Sequence, residues 1–310
     1  MITSMFLSAA ALLAPPATAQ SEVTVEFSAP AVFVAGSPYL VEVVYTGGDQ
    51  DAELEAWRFG PAALSVDGIP QGSRGASVWV PFPKGSRITL SLDLSGLLPT
   101  SGSFELSFAG FDQETEAKTV VKAYSQAPQG LYFTDMRAEQ LREYVVLLRT
   151  NRGDMVVEFY PDKAPNHVRN FLDLSYTGFY DGILFHRVGK GFMIQGGCPN
   201  TKTNQRGKWG TGSGPRMLDA EFNDVKHVRG ILSMARGPSP NSASSQFFVM
   251  HGTNPGLDNE YSVFGKLVSG YETLDAIAEV PGTTLPDGNT IRPAEEQKIL
   301  QAIVLVGSGE

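Results

Sequence analysis

Only one cysteine, Cys198, occurs in the 310 residues, so no disulfide can form within the chain and its folded parts must hold by packing. Histidine is nearly as scarce. The four, at 167, 186, 227 and 251, show none of the short spacings that chelate a metal. Positive charge is also in deficit: 24 Lys and Arg against 33 Asp and Glu give a formal net charge of −9. That balance argues against nucleic acid or an anionic membrane as the main partner, because both are gripped by basic patches. The apolar run "MFLSAAALLA" is too short to span a bilayer, so membrane insertion is not expected.

That run, followed by "PP" and by "ATA" ahead of Gln20, reads as a cleavable export signal over residues 1–19, although no Lys or Arg precedes it. The expected destination is outside the cytoplasm: periplasm, cell envelope or extracellular space. No cysteine stands directly after the signal-like stretch, which argues against a lipid anchor.

Residues 22–125 lack any helical period. "EVTVEF", "YLVEVVY", "ASVWVPF", "RITLSLDL" and "SFELSF" alternate apolar and polar residues at period two, with turn clusters between them. The pattern predicts an antiparallel β-sandwich of immunoglobulin-like type, an analogy of fold that names no function and leaves its partner unknown. The acidic run "DQDAELE" reads as a solvated turn rather than a calcium loop. Residues 126–142 read as a linker with a short helix.

The pattern changes at residue 143. Two strands flank "TNRGD", a hairpin signal with Gly153 available for positive φ. A helix is predicted from Pro165, with Val168, Phe171, Leu172 and Leu174 as its apolar stripe and Gly178 at its end. Further strand-like segments follow, with a second helix at "YETLDAIAEV" ahead of Pro281-Gly282. Residues 143–307 are therefore expected to form a closed antiparallel β-barrel with two capping helices, making the whole chain mainly β.

Within that region "FHRVGKGFMIQGG" offers one fixed cation, Arg187, beside apolar residues and a glutamine, but no acid, serine or cysteine. Such a set can bind and polarise. It holds no nucleophile. "GTGSG" lacks the Lys-Ser or Lys-Thr and the strand–loop–helix frame of a phosphate loop, and the serines of "SPNSASSQ" lack a His-Asp pattern.

With "GDMVVEFYPDKAPNHVRNF", "GTGSG", "GILSMAR", "NSASSQFFV" and "LDNEYSVFGKLVSG" in the same order, residues from about 144 to 307 resemble the cyclophilins, a family of peptidyl-prolyl cis/trans isomerases. The resemblance implies an activity that needs no metal or cofactor, proline-containing polypeptides as partners, and a role in folding exported proteins. It implies Arg187, Gln195 and Phe192 as the catalytic set, with Gln195 orienting Arg187. Met193, Phe248 and Leu257 join Phe192 around the proline ring. Ala235 and Arg236 stand at a peptide-pairing strand edge, Arg236 acting through its main chain, and Gln246 stands in the neighbouring subsite. His186 reads as structural in the fold, at a position the family often places at the pocket rim, where Tyr261 also stands. Three positions depart from the family. Gly256 stands where many eukaryotic members carry tryptophan, Tyr261 replaces a common histidine, and Cys198 replaces a common acid. The loss of the tryptophan predicts weak binding of cyclosporin, the cyclic peptide that members take in this groove. Two other readings remain open: a module that binds proline segments without turnover, and an envelope or matrix component.

Overall fold

The computed structural model describes residues 23–30, 32–75, 78–108 and 117–307. The expected export signal lies outside them. The chain divides between Ala123 and Tyr124 into two compact units.

The first unit is β-rich. Leu40–Thr46 pairs with Thr24–Ser28 on one side and Arg87–Asp93 on the other, all antiparallel. A second antiparallel sheet joins Ile69–Pro70, Leu64–Val66, Gly102–Phe108 and the stretch from Ala117 to Ala123. Period two does the sorting: Val41, Val43 and Tyr45 are fully buried while Leu40 and Glu42 face outward. The opposite sheet contributes Phe104, Leu106, Phe108 and Val121 to the same core. One expectation is corrected here. The acidic run is not a turn throughout, because Ala52–Glu55 is a strand paired with Trp79–Phe82. Ala52 and Leu54 bury one face while Glu53 and Glu55 take the other, so charges on alternate positions hid a strand.

In the second unit the antiparallel order is Gly282–Thr284, Ile291–Pro293, Arg187–Gly189, Met193–Gly196, Phe247–Met250, Ile231–Met234, Val263–Ser269, Gly153–Phe159, Tyr144–Thr150 and Ile299–Gly307. Tyr124, Ser125 and Gln126 pair with the end of the last strand. The regular strand ladder is not continuous all the way round the expected barrel. Where it would close, residues 182–185 run beside 297–299 through one isolated bridge, Leu184↔Lys298, and a few backbone hydrogen bonds. The turn at Tyr180–Gly182 leaves too short a segment for a full strand.

The hairpin after Tyr144–Thr150 turns through Gly153 at φ 128°, where a Cβ would meet Thr273 Oγ1 at 2.4 Å. A helix runs Pro165–Tyr176 with proline in its first turn, and a second runs Tyr271–Ala278. The first has alanine at its N-cap, so its orphan N–H groups look elsewhere. The Glu221 carboxylate accepts from the backbone N–H of Asn166 and of His167. Residues 126–142 pack against this unit. Phe133 and Leu141 are fully buried in its core, and Phe133 meets Tyr144 and Tyr176 edge-on. The short helix there is Ala138–Leu141.

Candidate active site

The site lies on a sheet whose two faces are both apolar. Along Met193–Gly196 and Phe247–Met250, Ile194, Phe247 and Val249 point into the main core. Their neighbours Met193, Phe248 and Met250 point the other way, into a second cluster with Ile231 and Val263. Partly buried Phe192, Ala235, Leu257 and Tyr261 pack on that cluster. Burial on both sides explains why these strands read as continuous apolar runs.

The outer cluster floors a pocket of about 150 Å³. Phe192, Met193, Phe248, Leu257 and Tyr261 line it, with Arg187, Gln195, Ala235 and Arg236. A neighbouring pocket of about 310 Å³ shares Gln195, Ala235 and Arg236 and adds Gln246 and the 210–213 loop. Of the residues expected at the site, His186 alone lines neither. It is 5% exposed, because its strand alternation turns it inward while Arg187 turns outward. Burial, with the charges of Arg292 and Arg187 nearby, holds its imidazole down at about 4, so it is neutral at pH 7. His186 is thus buried behind the pocket and is not among its lining residues, where a substrate contact would place it.

Register places Arg187 directly opposite Gln195, and Gln195 opposite Phe248. Arg187 Nη1 donates to Gln195 Oε1 at 3.0 Å, and Gln195 Nε2 donates to Gln246 Oε1 at 3.1 Å. Gln246 Nε2 in turn donates to the carbonyls of Gly210 and Gly212 at 2.9 and 2.8 Å. The same two glycines give their N–H groups to Cys198 Sγ, at 3.2 and 3.3 Å. Cys198 is fully buried, and its sulfur fixes the loop that holds Gln246. It is set there by Gly197, whose φ of 85° and close approach to Ser245 O exclude a side chain.

The pocket rim is tied down elsewhere. The Ala235 N–H is given to Gln246 O at 2.8 Å. The Arg236 side chain donates to Glu260 O at 3.0 Å, with its guanidinium carbon 4.9 Å from the Tyr261 ring centre. Tyr261 meets Phe248 edge-on at 5.5 Å. Beneath Phe248 lies His227, a residue with no sequence signal. Its ring stacks on Phe248 at 6.0 Å, its Nε2 lies 3.1 Å from Ser233 Oγ, and its Nδ1 lies 3.2 Å from Asp258 Oδ1. Burial lowers its pKa, against an opposing pull from Asp258.

Sequence reasoning also missed the anion at the cation. Asp287 forms an ion pair with Arg187, and Thr290 Oγ1 accepts from Arg187 Nε at 3.1 Å. Burial works to raise the Asp287 carboxyl, but hydrogen bonds from Thr290, Arg187 and the N–H groups of Asn289 and Thr290 outweigh it and hold it at about 2. Nothing in the sequence around Asp287 pointed to Arg187.

The pocket lining contains no serine, cysteine, histidine or carboxylate. The arrangement can seat an apolar ring beside a multi-donor cation, and it is not built for nucleophilic or acid–base chemistry.

Residues 145–304 match the family model for cyclophilin type peptidyl-prolyl cis-trans isomerase. The chain is 42% identical over 138 residues to peptidyl-prolyl cis-trans isomerase-like 3 of Gallus gallus, covering 44% of this chain and 83% of that protein. It is 40% identical over 161 residues to peptidyl-prolyl cis-trans isomerase CYP18-2 of Arabidopsis thaliana, covering 52% and 93%. Among solved structures, a cyclophilin type peptidyl-prolyl cis-trans isomerase of Cryptosporidium parvum, crystallised in the presence of the dipeptide Ala-Pro, aligns with a TM-score of 0.46. The alignment has 36% identity and covers 53% of this chain and 99% of that one.

Proposed function

This chain belongs to the cyclophilin family of peptidyl-prolyl cis-trans isomerases, and from that premise we propose how its groove turns over an X-Pro bond. Amide resonance sets a rotational barrier of about 18–20 kcal/mol. Rotation makes and breaks no covalent bond, so the enzyme has only to stabilise the twisted amide. Twisting localises the nitrogen lone pair, which becomes a hydrogen-bond acceptor that the planar amide lacks. Arg187 supplies the donor, and the interaction is stronger in the transition state than in the ground state. Phe192, Met193, Phe248 and Leu257 hold the proline ring, Gln195 orients the guanidinium, and Gln246 with Ala235 and Arg236 receives the neighbouring peptide. The observation that carries this reading is that Arg187 and these apolar side chains line one pocket of about 150 Å³.

The test is an exchange assay on an X-Pro peptide. Arg187→Ala is expected to lower kcat/KM by about a hundredfold or more, since one charged donor at a developing acceptor is worth roughly 2.7–4 kcal/mol. Arg187→Lys is expected to restore little, because an ammonium lacks the planar fork. Wild-type turnover in Arg187→Ala would sink the assignment.

The clients we propose are exported proteins, with the enzyme in the periplasm, envelope or extracellular space; the support is the signal-like text of residues 1–19. Intact mass of protein from its native host is expected to begin at Gln20. A cytoplasmic species retaining Met1 would refute export.

A further inference from the structure

A guanidinium on a flexible stem must be aimed before it can serve a transition state, and Gln195 holds Arg187 from one flank only. The other flank is held by a hairpin distant in sequence. Gly282–Thr284 pairs with Ile291–Pro293, and Ile291 bridges to Val188, the residue after Arg187. The turn of this hairpin carries Asp287. Its Oδ1 accepts from the N–H of Asn289 and of Thr290, both at 3.1 Å, which fixes the carboxylate on its own turn. The Thr290 hydroxyl, on a side chain 1% exposed, donates to Asp287 Oδ2 at 2.7 Å and accepts from Arg187 Nε at 3.1 Å. Asp287 Oδ2 itself accepts from Arg187 Nε at 3.2 Å and from Nη2.

A guanidinium has five N–H donors in a rigid plane. Asp287 and Thr290 occupy the Nε–H and one hydrogen of Nη2, while Gln195 occupies one hydrogen of Nη1. One N–H remains on each Nη for a ligand in the pocket that Arg187 lines. Gly189 shows how closely the hairpin is seated: a Cβ there would lie 2.7 Å from Asn289 O and 3.0 Å from Thr290 Cγ2.

We propose that Asp287, braced by Thr290, is a positioning residue for this isomerase: it clamps the side edge of the Arg187 guanidinium so that the end edge faces the X-Pro amide. This rests on the reading of Arg187 as the donor to the twisted amide. The clamp acts through orientation. Its loss therefore lowers kcat with little change in KM, and the loss disappears when Arg187 is already gone.

The experiment measures turnover of an X-Pro peptide by exchange NMR in the full chain, with Asp287→Ala, Asp287→Asn and Thr290→Val made in both the wild-type and the Arg187→Ala backgrounds. With Arg187 present, Asp287→Ala is expected to lower kcat by about tenfold. Asp287→Asn keeps only one acceptor oxygen, which serves the turn N–H groups and leaves an amide NH2 facing Arg187, so its loss is expected to approach that of Asp287→Ala. Thr290→Val, close to isosteric, should fall between wild type and Asp287→Ala. In the Arg187→Ala background none of the three should change turnover by more than about twofold. The Arg187 Nε–H resonance, slow to exchange in the wild type, should broaden or vanish in Asp287→Ala. Equal losses in both backgrounds would show that Asp287 serves only the fold and would overturn the proposal. Unchanged or raised turnover in Asp287→Ala, while Arg187→Ala remains crippled, overturns the clamp but leaves the Arg187 reading intact. Wild-type turnover in Arg187→Ala removes both.

Discussion

Gly256 tests how much of ligand recognition rests on a single side chain. Its N–H is held by Asn254 Oδ1 at 3.0 Å, and a Cβ added there would meet only that same oxygen, at 3.1 Å. A small rotation of the asparagine side chain makes room, so Gly256→Trp should fold. Tryptophan beside Leu257 adds apolar cover and an indole N–H donor at the pocket edge. Together these predict cyclosporin binding roughly ten- to several-hundredfold tighter in Gly256→Trp than in the wild type. Turnover of small X-Pro peptides should change much less, because they rely on the floor and on Arg187. Calorimetry on both proteins checks this, and nanomolar binding by the wild type would show that another residue fills the indole's place. At this scale the sequence was legible where a motif carried the residue: Arg187, Gln195 and the pocket apolars lie within short matched stretches. Asp287 was not legible, because it reaches Arg187 from 100 positions away and no local pattern encodes that meeting. His227 was missed for a different reason: a lone histidine in a loop shows no sign that it will stack beneath Phe248.

Strands with a buried face announced themselves by alternation, and the helix framed by Pro165 and Gly178 by its apolar stripe. Elements too short to alternate did not. Leu64–Val66 has three residues, and the Gly282–Thr284 and Ile291–Pro293 hairpin offers threonine, glycine and proline in place of an apolar rhythm. Helix capping was equally hidden, since Glu221 caps Pro165–Tyr176 from over fifty positions away. That cap also accepts from Asn166 Nδ2 at 2.9 Å and from His167 Nδ1 at 2.6 Å, so four donors depend on one carboxylate. Glu221→Ala would hand the exposed Asn166 donors to water but leave the two donors of buried His167 without a partner, and each unmet buried group costs about 1–3 kcal/mol, so the net loss should be at least in that range. For a unit of this size that lowers Tm by about 2–4 °C per kcal/mol. Calorimetric scanning would show it, with turnover at 25 °C retained. An unchanged transition would mean that water replaces the cap.

For the whole second unit, buried imidazoles set the response to acid. His186 has a folded-state pKa of about 4 against an ordinary 6.5. Between those values the unfolded chain binds a proton that the folded chain refuses, so stability is full above pH 6.5 and falls as pH drops towards 4. His227, also lowered by burial, acts in the same direction. The His186 contribution alone amounts to about 2 kcal/mol lost between pH 7 and pH 5. Urea unfolding at the two pH values should show this loss, and His186→Gln should flatten it. Equal slopes in the two proteins would place the acid sensitivity elsewhere.

The sheet that carries the pocket is a wall one strand thick, with Ile194, Phe247 and Val249 holding the core on one side and Met193, Phe248 and Met250 forming the floor on the other. A substitution on either side shifts the backbone that the other shares, so the floor cannot drift without endangering the fold. Divergence in client preference is therefore confined to the loops that frame the wall, such as 210–213 and 254–261, where a change alters what enters and leaves the scaffold alone. The proline seat stays constant, while its surroundings are free to vary.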